Sequence, residues 1–287
     1  MKITREEKTA YKMILPYIIL IMLMIVILLV SNVITSFVNE EGTFTFNNYI
    51  NCFQDEIVGQ AFVNTGFWVL GSVLGQVLLG FLAAILLNQI KKGQVIYRSI
   101  ILILPWATLD IVAGVMWKWM YNDMYGVIND LLMKMHLIND YIPWLASENL
   151  AMISIIIANV WKGFCLTGMF FLAGLQSIPK QLYEAAEIDG ASSWKRFWHV
   201  TIPQLKPVIM TTLMLTIIWT INYFPLIYTM TGGGPGYATE TVVTYIYKLG
   251  FKFLESNKAA ALSNILFVVI FVIASVFLSR ISKEEAA

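Results

Sequence analysis

The chain has 287 residues, 58% of them hydrophobic and only 13% charged, which excludes a single soluble core as the home of so much apolar side chain. Lys and Arg number 19 against 18 Asp and Glu, a near balance that gives no sign of a nucleic-acid partner, so the placement of the charges is what carries information. Cys52 and Cys165 are far apart and the second lies inside an apolar run, while His136 and His199 are isolated; neither a disulfide framework nor a metal site is expected.

A short basic start (Lys2, Arg5, Lys8, Lys12) precedes an apolar run from Ile14 to Val38, longer than the roughly 20 residues that cross a bilayer. It is too long for a signal-peptide core and lacks a small-residue cleavage pattern, so it reads as a retained first span. Residues 40–60 are polar and acidic, as an outer loop would be. Span two covers about 61–87 and carries Gly71 and Gly75 as a GxxxG pair, which allows close helix approach. Lys91, Lys92 and Arg98 mark an inner turn before span three, 99–121, with Pro105, Asp110 and Lys118; Trp117 and Tyr121 fall where interfacial aromatics belong. Asn129, Asp130, Asn139 and Asp140 fit an outer loop with a short helix. Span four, 149–175, holds Asn159, Trp161 and Lys162 near its middle, and span five, 207–230, holds Thr216, Trp219, Thr220, Asn222 and Tyr223. Thr231-Gly-Gly-Gly-Pro235-Gly236 breaks the chain, and an aromatic-rich outer loop leads to span six, 259–279.

With both termini inside, the inner segments hold Lys2, Arg5, Lys8, Lys12, Lys91, Lys92, Arg98, Lys180, Lys195, Arg196, Lys206, Arg280 and Lys283, and the outer loops only Lys134, Lys248, Lys252 and Lys258. That asymmetry is the positive-inside bias. The expected fold is therefore an all-α integral membrane protein with six transmembrane helices and cytoplasmic termini. It divides into 1–61 (tail, first span, first outer loop) and a core of 62–287.

The long polar segment 177–207 lies on the inner side and carries helix signals of its own. Ser177 is the expected cap of a helix starting near Pro179, with Leu182, Ala185, Ala186 and Asp189 on one face; Gly190 ends it. Ser192 then caps a second helix to about His199, with Pro203 and Pro207 as its stop. The result is a cytoplasmic elbow with both charge signs and large aromatics, suited to docking in a cleft of a soluble partner. The chain contains no GxxxxGK[ST] phosphate loop, HExxH pair or nucleophile elbow, so nothing in it reads as catalytic.

Glu184-Ala-Ala-Glu-Ile-Asp189-Gly190, followed by Ile202-Pro203-Gln-Leu-Lys-Pro207, resembles the "EAA" loop of permease subunits of binding-protein-dependent ABC importers. Pro105 and Trp117, Gly126-Val-Ile-Asn129, Trp144-Leu145, Trp161-Lys-Gly163, Ala173-Gly-Leu-Gln-Ser-Ile-Pro179, Thr231-Gly-Gly-Gly-Pro235 and Ala259-Ala-Ala-Leu-Ser263 are similar to the carbohydrate-uptake branch, over roughly residues 62 to 280. The resemblance implies a type I ABC importer transmembrane domain working with a second homologous permease, two ATP-binding subunits and an extracytoplasmic solute-binding protein. It places the chain in a bacterial or archaeal plasma membrane. ATP and Mg would be bound by the partner ATPase, with no cofactor on this chain. By the same likeness Glu184, Ala185, Ala186, Asp189, Gly190, Ala191, Trp194 and Phe197 would form the ATPase-coupling helix. Lys162, Gly163, Leu166, Thr216, Thr220, Asn222 and Tyr223 would face the substrate pathway, with Trp219 added for its aromatic face. Gly163-Phe164-Cys165 departs from the family's common Gly-x-Pro turn, which puts a helix break there in question.

Asp110 and Lys162 fall near the centres of their spans, where an ionised side chain costs about 2.5–3.5 kcal/mol on insertion scales. Two readings stand: they pair across spans three and four, or Lys162 faces the pathway and favours an anion. The expected cargo is a carbohydrate, with an oligosaccharide first. The alternatives are a polyol, glycerol phosphate or other anionic sugar derivative and, from another class, an ion-coupled carrier or channel, which the sparse intramembrane carboxylates disfavour.

Overall fold

A computed structural model describes the backbone of residues 5–39, 41–90 and 92–285, with side chains described within 11–39, 41–90 and 92–280. Lys2, Glu40 and Lys91, and the side chains of Arg5, Lys8 and Lys283, lie outside the described residues. The described chain is helical apart from turns and a single antiparallel bridge between Val38 and Phe44.

Two compact units are distinguished. The first comprises Met1–Glu56 with Ile246–Val268 and the second Ile57–Tyr245 with Val269–Ala287. In the first unit, α1 (Arg5–Ser36) presents apolar side chains on nearly every face, as a lipid-bathed helix must. It is pinned near its end by a polar cluster: Asn32 Nδ2 donates to Asn264 Oδ1 at 2.7 Å, and Ser36 Oγ lies 2.8 Å from Tyr49 Oη. Tyr49 sits on α2 (Asn47–Gln54).

The second unit begins along α3 (Glu56–Gln89). The positions of Gly71 and Gly75 explain its close contact with the later helix α8 (Glu148–Ser177): a Cβ on Gly75 would stand 2.5 Å from Val160 Cγ2, and one on Gly71 2.9 Å from Ile156 Cδ1. Span three is not the single straight helix expected. α4 (Gln94–Arg98), a π turn at Ser99–Ile103 and α5 (Leu104–Ala107) form one arm; α6 (Asp110–Met120) forms the other, inclined to it by 94°. The break is Thr108-Leu109, both in extended conformation. Among the described residues five helices are long and apolar enough to cross a bilayer, and the bent pair is the sixth crossing if counted as one. Trp117 and Tyr121 are buried in the core, and the exposed aromatics of that end are Trp119 and Tyr125. The short outer helix expected after span three is α7 (Val127–Lys134).

α8 runs unbroken through Gly163, so the family's helix break has no counterpart here. Beyond it come α9 (Lys180–Ile188), α10 (Ser193–Arg196), a π turn at Phe197–Thr201, and α11 (Ile202–Ile221). Pro203 and Pro207 do not stop the helix. In the wide turn the N–H of Ile202 bonds Phe197 O, five residues back, so the ladder has already shifted when Pro203, which has no N–H, is reached. The same device precedes Pro105, where Leu104 N–H bonds Ser99 O. α12 (Pro225–Met230) follows a break at Asn222–Phe224, and α13 (Val242–Tyr247) and α14 (Ser256–Glu285) complete the described helices.

Two apolar clusters hold the second unit. One joins Trp68, Ala113, Trp117, Ile155, Ala158, Leu226 and Ile227; the other joins Ala84, Leu102, Cys165, Phe171, Leu175 and Leu205. Along α3, α8 and α11–α12 the residues between the two clusters include Gln76, Asn159, Lys162, Thr216 and Thr220. These polar groups thus form one layer between the two apolar clusters.

Candidate functional site

That layer opens into a cavity of about 750 Å³. All eight positions expected on the substrate pathway line it: Lys162, Gly163 and Leu166 from α8, and Thr216, Trp219, Thr220, Asn222 and Tyr223 from α11 and the break after it. Asp110 joins them, carried in by the bend of span three. Gln76, Trp106 and Thr108, to which sequence reasoning gave no part, also line it, as does Asn159, noted there without a role. A glutamine in the apolar middle of a 34-residue helix, with the other two, Gln60 and Gln89, near its ends, was the available signal for Gln76. Thr108 contributes its carbonyl, and a backbone group freed by a helix break leaves no mark in composition.

Lys162, at the midpoint of the 30-residue α8, has its Nζ 2.9 Å from Asp110 Oδ1 and donates also to Thr108 O. Tyr223 Oη donates to the same Asp110 oxygen at 2.7 Å. The bend makes this possible. Residues 108–109 leave the helix, Thr108 O is available to a side chain, and Asp110 begins α6, where a carboxylate is favoured by the helix dipole. A charge in an apolar layer is tolerable only with partners, and the ammonium has two.

The hydroxyls divide. Thr216 Oγ1 donates to Thr212 O at 2.7 Å on its own helix, and Thr167 Oγ1 to Gln76 O at 2.7 Å. Asn222 Nδ2 likewise bonds Ile218 O at 2.9 Å, capping α11 where it breaks. Trp68 Nε1 holds Thr220 O at 2.9 Å, fixing α11 against α3. Trp106 and Trp219 keep about half their surface exposed, so their faces are not consumed by packing. The side-chain amide of Gln76 fills the space a Cβ on Gly163 would need.

The elbow is built differently from one expectation. Ser177 is the last residue of α8, its Oγ donating to Gly174 O at 2.8 Å, and the N-cap of α9 is Pro179, which offers no side-chain acceptor. Gly190 closes α9 at φ +75°, with Gly190 N–H on Glu187 O and Ala191 N–H on Ala186 O, a Schellman end that favours glycine. Ser192 does cap α10, accepting from Lys195 N–H at 3.4 Å. Arg196 and Glu187 bridge the two arms at 3.1 Å. No residue of α9 or α10 is buried: Glu184, Ala185, Asp189 and Gly190 are exposed, Ala186 and Ala191 half-buried, and Ile188 and Trp194 are 87% and 69% exposed. Phe197 differs, turning toward α3 with its ring 6.1 Å from that of Phe81.

Residues 5–283 match the family described as "Binding-protein-dependent transport system inner membrane component". The chain is 35% identical over 284 residues to the trehalose/maltose transport system permease protein MalF of Thermococcus litoralis, covering 96% of this chain and 94% of that protein. It is 35% identical over 240 residues to the sulfoquinovosyl glycerol transport system permease protein SmoG of Agrobacterium fabrum (84% and 77%), and 37% identical over 228 residues to the sn-glycerol-3-phosphate transport system permease protein UgpA of Yersinia pestis (78% and 75%). The fold is shared with a chain in the crystal structure of a bacterial ABC transporter for the acidic polysaccharide alginate, at TM-score 0.87 and 23% identity over 97% of this chain and 96% of that one. With its apolar spans and this match along almost its whole length, the chain belongs to the binding-protein-dependent transport system inner membrane components, as a multi-pass permease of the plasma membrane.

Proposed function

We propose that this chain is one of two homologous permease subunits through which an ATP-driven importer passes a carbohydrate, an oligosaccharide in the first place, into the cytoplasm by alternating access. The observation that carries the reading is the cavity between two apolar clusters, where indole faces and amides meet halfway along the spans. Sugar rings stack on aromatic faces and their hydroxyls exchange bonds with amides and hydroxyls, and a site of this volume holds a few sugar units at most. The cargoes for which the relatives are named, trehalose or maltose, sulfoquinovosyl glycerol and glycerol 3-phosphate, are all polyhydroxy compounds or their esters.

The elbow supplies the other half of the reading. An exposed helical pair with Ile188 and Trp194 in solvent is out of place on an unpartnered surface. Docked on a separate ATPase that binds ATP and Mg, Glu184 through Phe197 would convert closure of the ATPase pair into rocking of the spans, a shift between inward- and outward-facing packings. The distribution of Lys and Arg supports a cytoplasmic place for this elbow and both termini.

The test is uptake into proteoliposomes containing the complete importer. Entry of a radiolabelled oligosaccharide panel should require both ATP at the ATPase face and the extracytoplasmic binding protein. Uptake driven by an ion gradient without ATP would return the ion-coupled carrier to first place.

A further inference from the structure

The relatives named above differ in one property of their cargo, its charge, and the cavity of this chain has a definite answer to that question. Asp110 and Lys162 are the two charged side chains that line it among the described residues, and they are bonded to each other at 2.9 Å. Thr108 O and Tyr223 Oη take up further capacity of the same two groups. The wall therefore sums to no net charge, and the ammonium that could hold an anion is already occupied. A phosphate, sulfonate or uronate entering here must either pull Lys162 away from Asp110, leaving a carboxylate uncompensated beside the incoming anion, or rest against an uncharged wall after losing its hydration. Both carry a penalty that a neutral polyol escapes.

What the wall leaves open suits a neutral guest. Asn159 is 5% exposed and lines the cavity, and its Nδ2 has no hydrogen-bond partner, although a buried amide donor is normally satisfied. Its backbone carbonyl is engaged by Gln76 Nε2 at 3.4 Å, which fixes the turn of α8 that carries it. Nδ2 is itself enclosed in this packing, so a turn of the side chain is what brings its free N–H to an acceptor such as a hydroxyl or ring oxygen, and the half-exposed indoles of Trp106 and Trp219 offer surfaces for the C–H face of a sugar ring.

We propose that the cavity selects an uncharged polyhydroxy cargo, that the Asp110–Lys162–Tyr223 triad sets this preference by withholding the lysine charge, and that Asn159 donates to the cargo. The proposal rests on the importer reading and adds the charge class of the substrate.

The experiment uses the full importer in lipid nanodiscs without ATP or binding protein, so that the permease cavity is read alone. Saturation-transfer NMR follows maltose, trehalose and cellobiose as neutral probes, and glycerol 3-phosphate and alginate oligosaccharides as anionic ones. Wild type should give at least tenfold more transfer to one of the neutral probes than to either anion. Asp110→Asn, which removes the charge that neutralises the ammonium, should raise the signal of glycerol 3-phosphate at least fivefold. The double variant Asp110→Asn/Lys162→Met, neutral again, should return to the wild-type preference, and it carries the test if the single variant does not assemble. Asn159→Ala should lower the neutral signal severalfold without admitting anions. Equal or greater transfer to an anion in wild type, or an anion signal unmoved by Asp110→Asn in an assembled complex, would overturn the proposal. ATP-driven uptake by the complete importer, measured in parallel, separates the two levels. Uptake of an anion in preference to every neutral probe leaves the importer reading standing and sinks this one, whereas uptake of all probes without ATP sinks both.

Discussion

Removing one member of the Asp110–Lys162 pair is not equivalent to removing both, because Lys162 has little access to water, its side chain being 11% exposed, whereas that of Asp110 is 38% exposed. Asp110→Asn leaves the ammonium with neutral oxygens as acceptors, Thr108 O among them, and no opposite charge, while the double neutral variant removes the demand. Discounted for the exposure of the carboxylate, the single change should destabilise the protein by about 1–2 kcal/mol, and Lys162→Met by somewhat less. The double variant should recover at least half of the larger loss in thermal unfolding of the purified complex. Strict additivity of the two single losses would contradict a direct bond. At this scale the sequence marked both residues correctly as costly in mid-span, yet left open whether they pair or face the pathway. The structure bonds the two to each other in the wall of the cavity, and the deciding feature, the bend at Thr108-Leu109, is a matter of two backbone conformations that composition does not encode.

The helices were more legible than their interruptions. The length and apolarity of α1, α3, α8 and α14 follow from what a bilayer demands, and GxxxG in α3 correctly marked the face that meets α8. Pro203 and Pro207 were misread as a stop: before Pro203 a π turn, which has no composition of its own, moves the hydrogen-bond register past the missing N–H, and α11 continues through Pro207. Trp117 and Tyr121 were assigned to the membrane interface by type, whereas the inclination of α6 turns them into the core. Close packing of α3 on α8 gives a prediction at the level of the element. Val160 is β-branched and stiff, so it cannot swing clear of a side chain at position 75. Gly75→Val should cost about 1–3 kcal/mol through overpacking, seen as a lower midpoint in thermal unfolding. Gly59→Val on the same helix, where an added Cβ meets nothing within 4 Å, should cost only a few tenths of that; equal losses at the two positions would mean that helix propensity and not contact is being read.

For the molecule as a whole, two features at different levels of the same helices have to be linked. The cavity lies midway along α8 and at the C-terminal end of α11, and the elbow connects the C-terminal end of α8 to the N-terminal end of α11. A force applied at the elbow therefore reaches the cavity walls through continuous helix: downward from Ser177 along α8, and through the π turn at Phe197–Thr201 into α11. Tyr183 Oη, 3.0 Å from Thr201 Oγ1, and the contact of Phe197 with Phe81 tie the elbow to that entry. Family membership was legible from motifs spread along the chain, and the cargo's identity was not, because the same handful of hydroxyls, amides and indoles fits many glycans.

The most direct measurement of the central claim is ATP hydrolysis by the purified complex in lipid, with and without substrate-loaded binding protein, comparing wild type with Gly190→Trp. Gly190 holds φ +75° at the exposed tip of the elbow, and within this chain an added Cβ there meets nothing within 4 Å. A large side chain would thus bring modest backbone strain of about 1–2 kcal/mol, while it blocks any groove that receives the tip. Stimulation by the loaded binding protein should fall at least tenfold, with the two permease subunits still assembled, whether or not the ATPase remains attached. Full stimulation in the Gly190→Trp complex would contradict the account, since the elbow could not then be the element through which hydrolysis moves the spans.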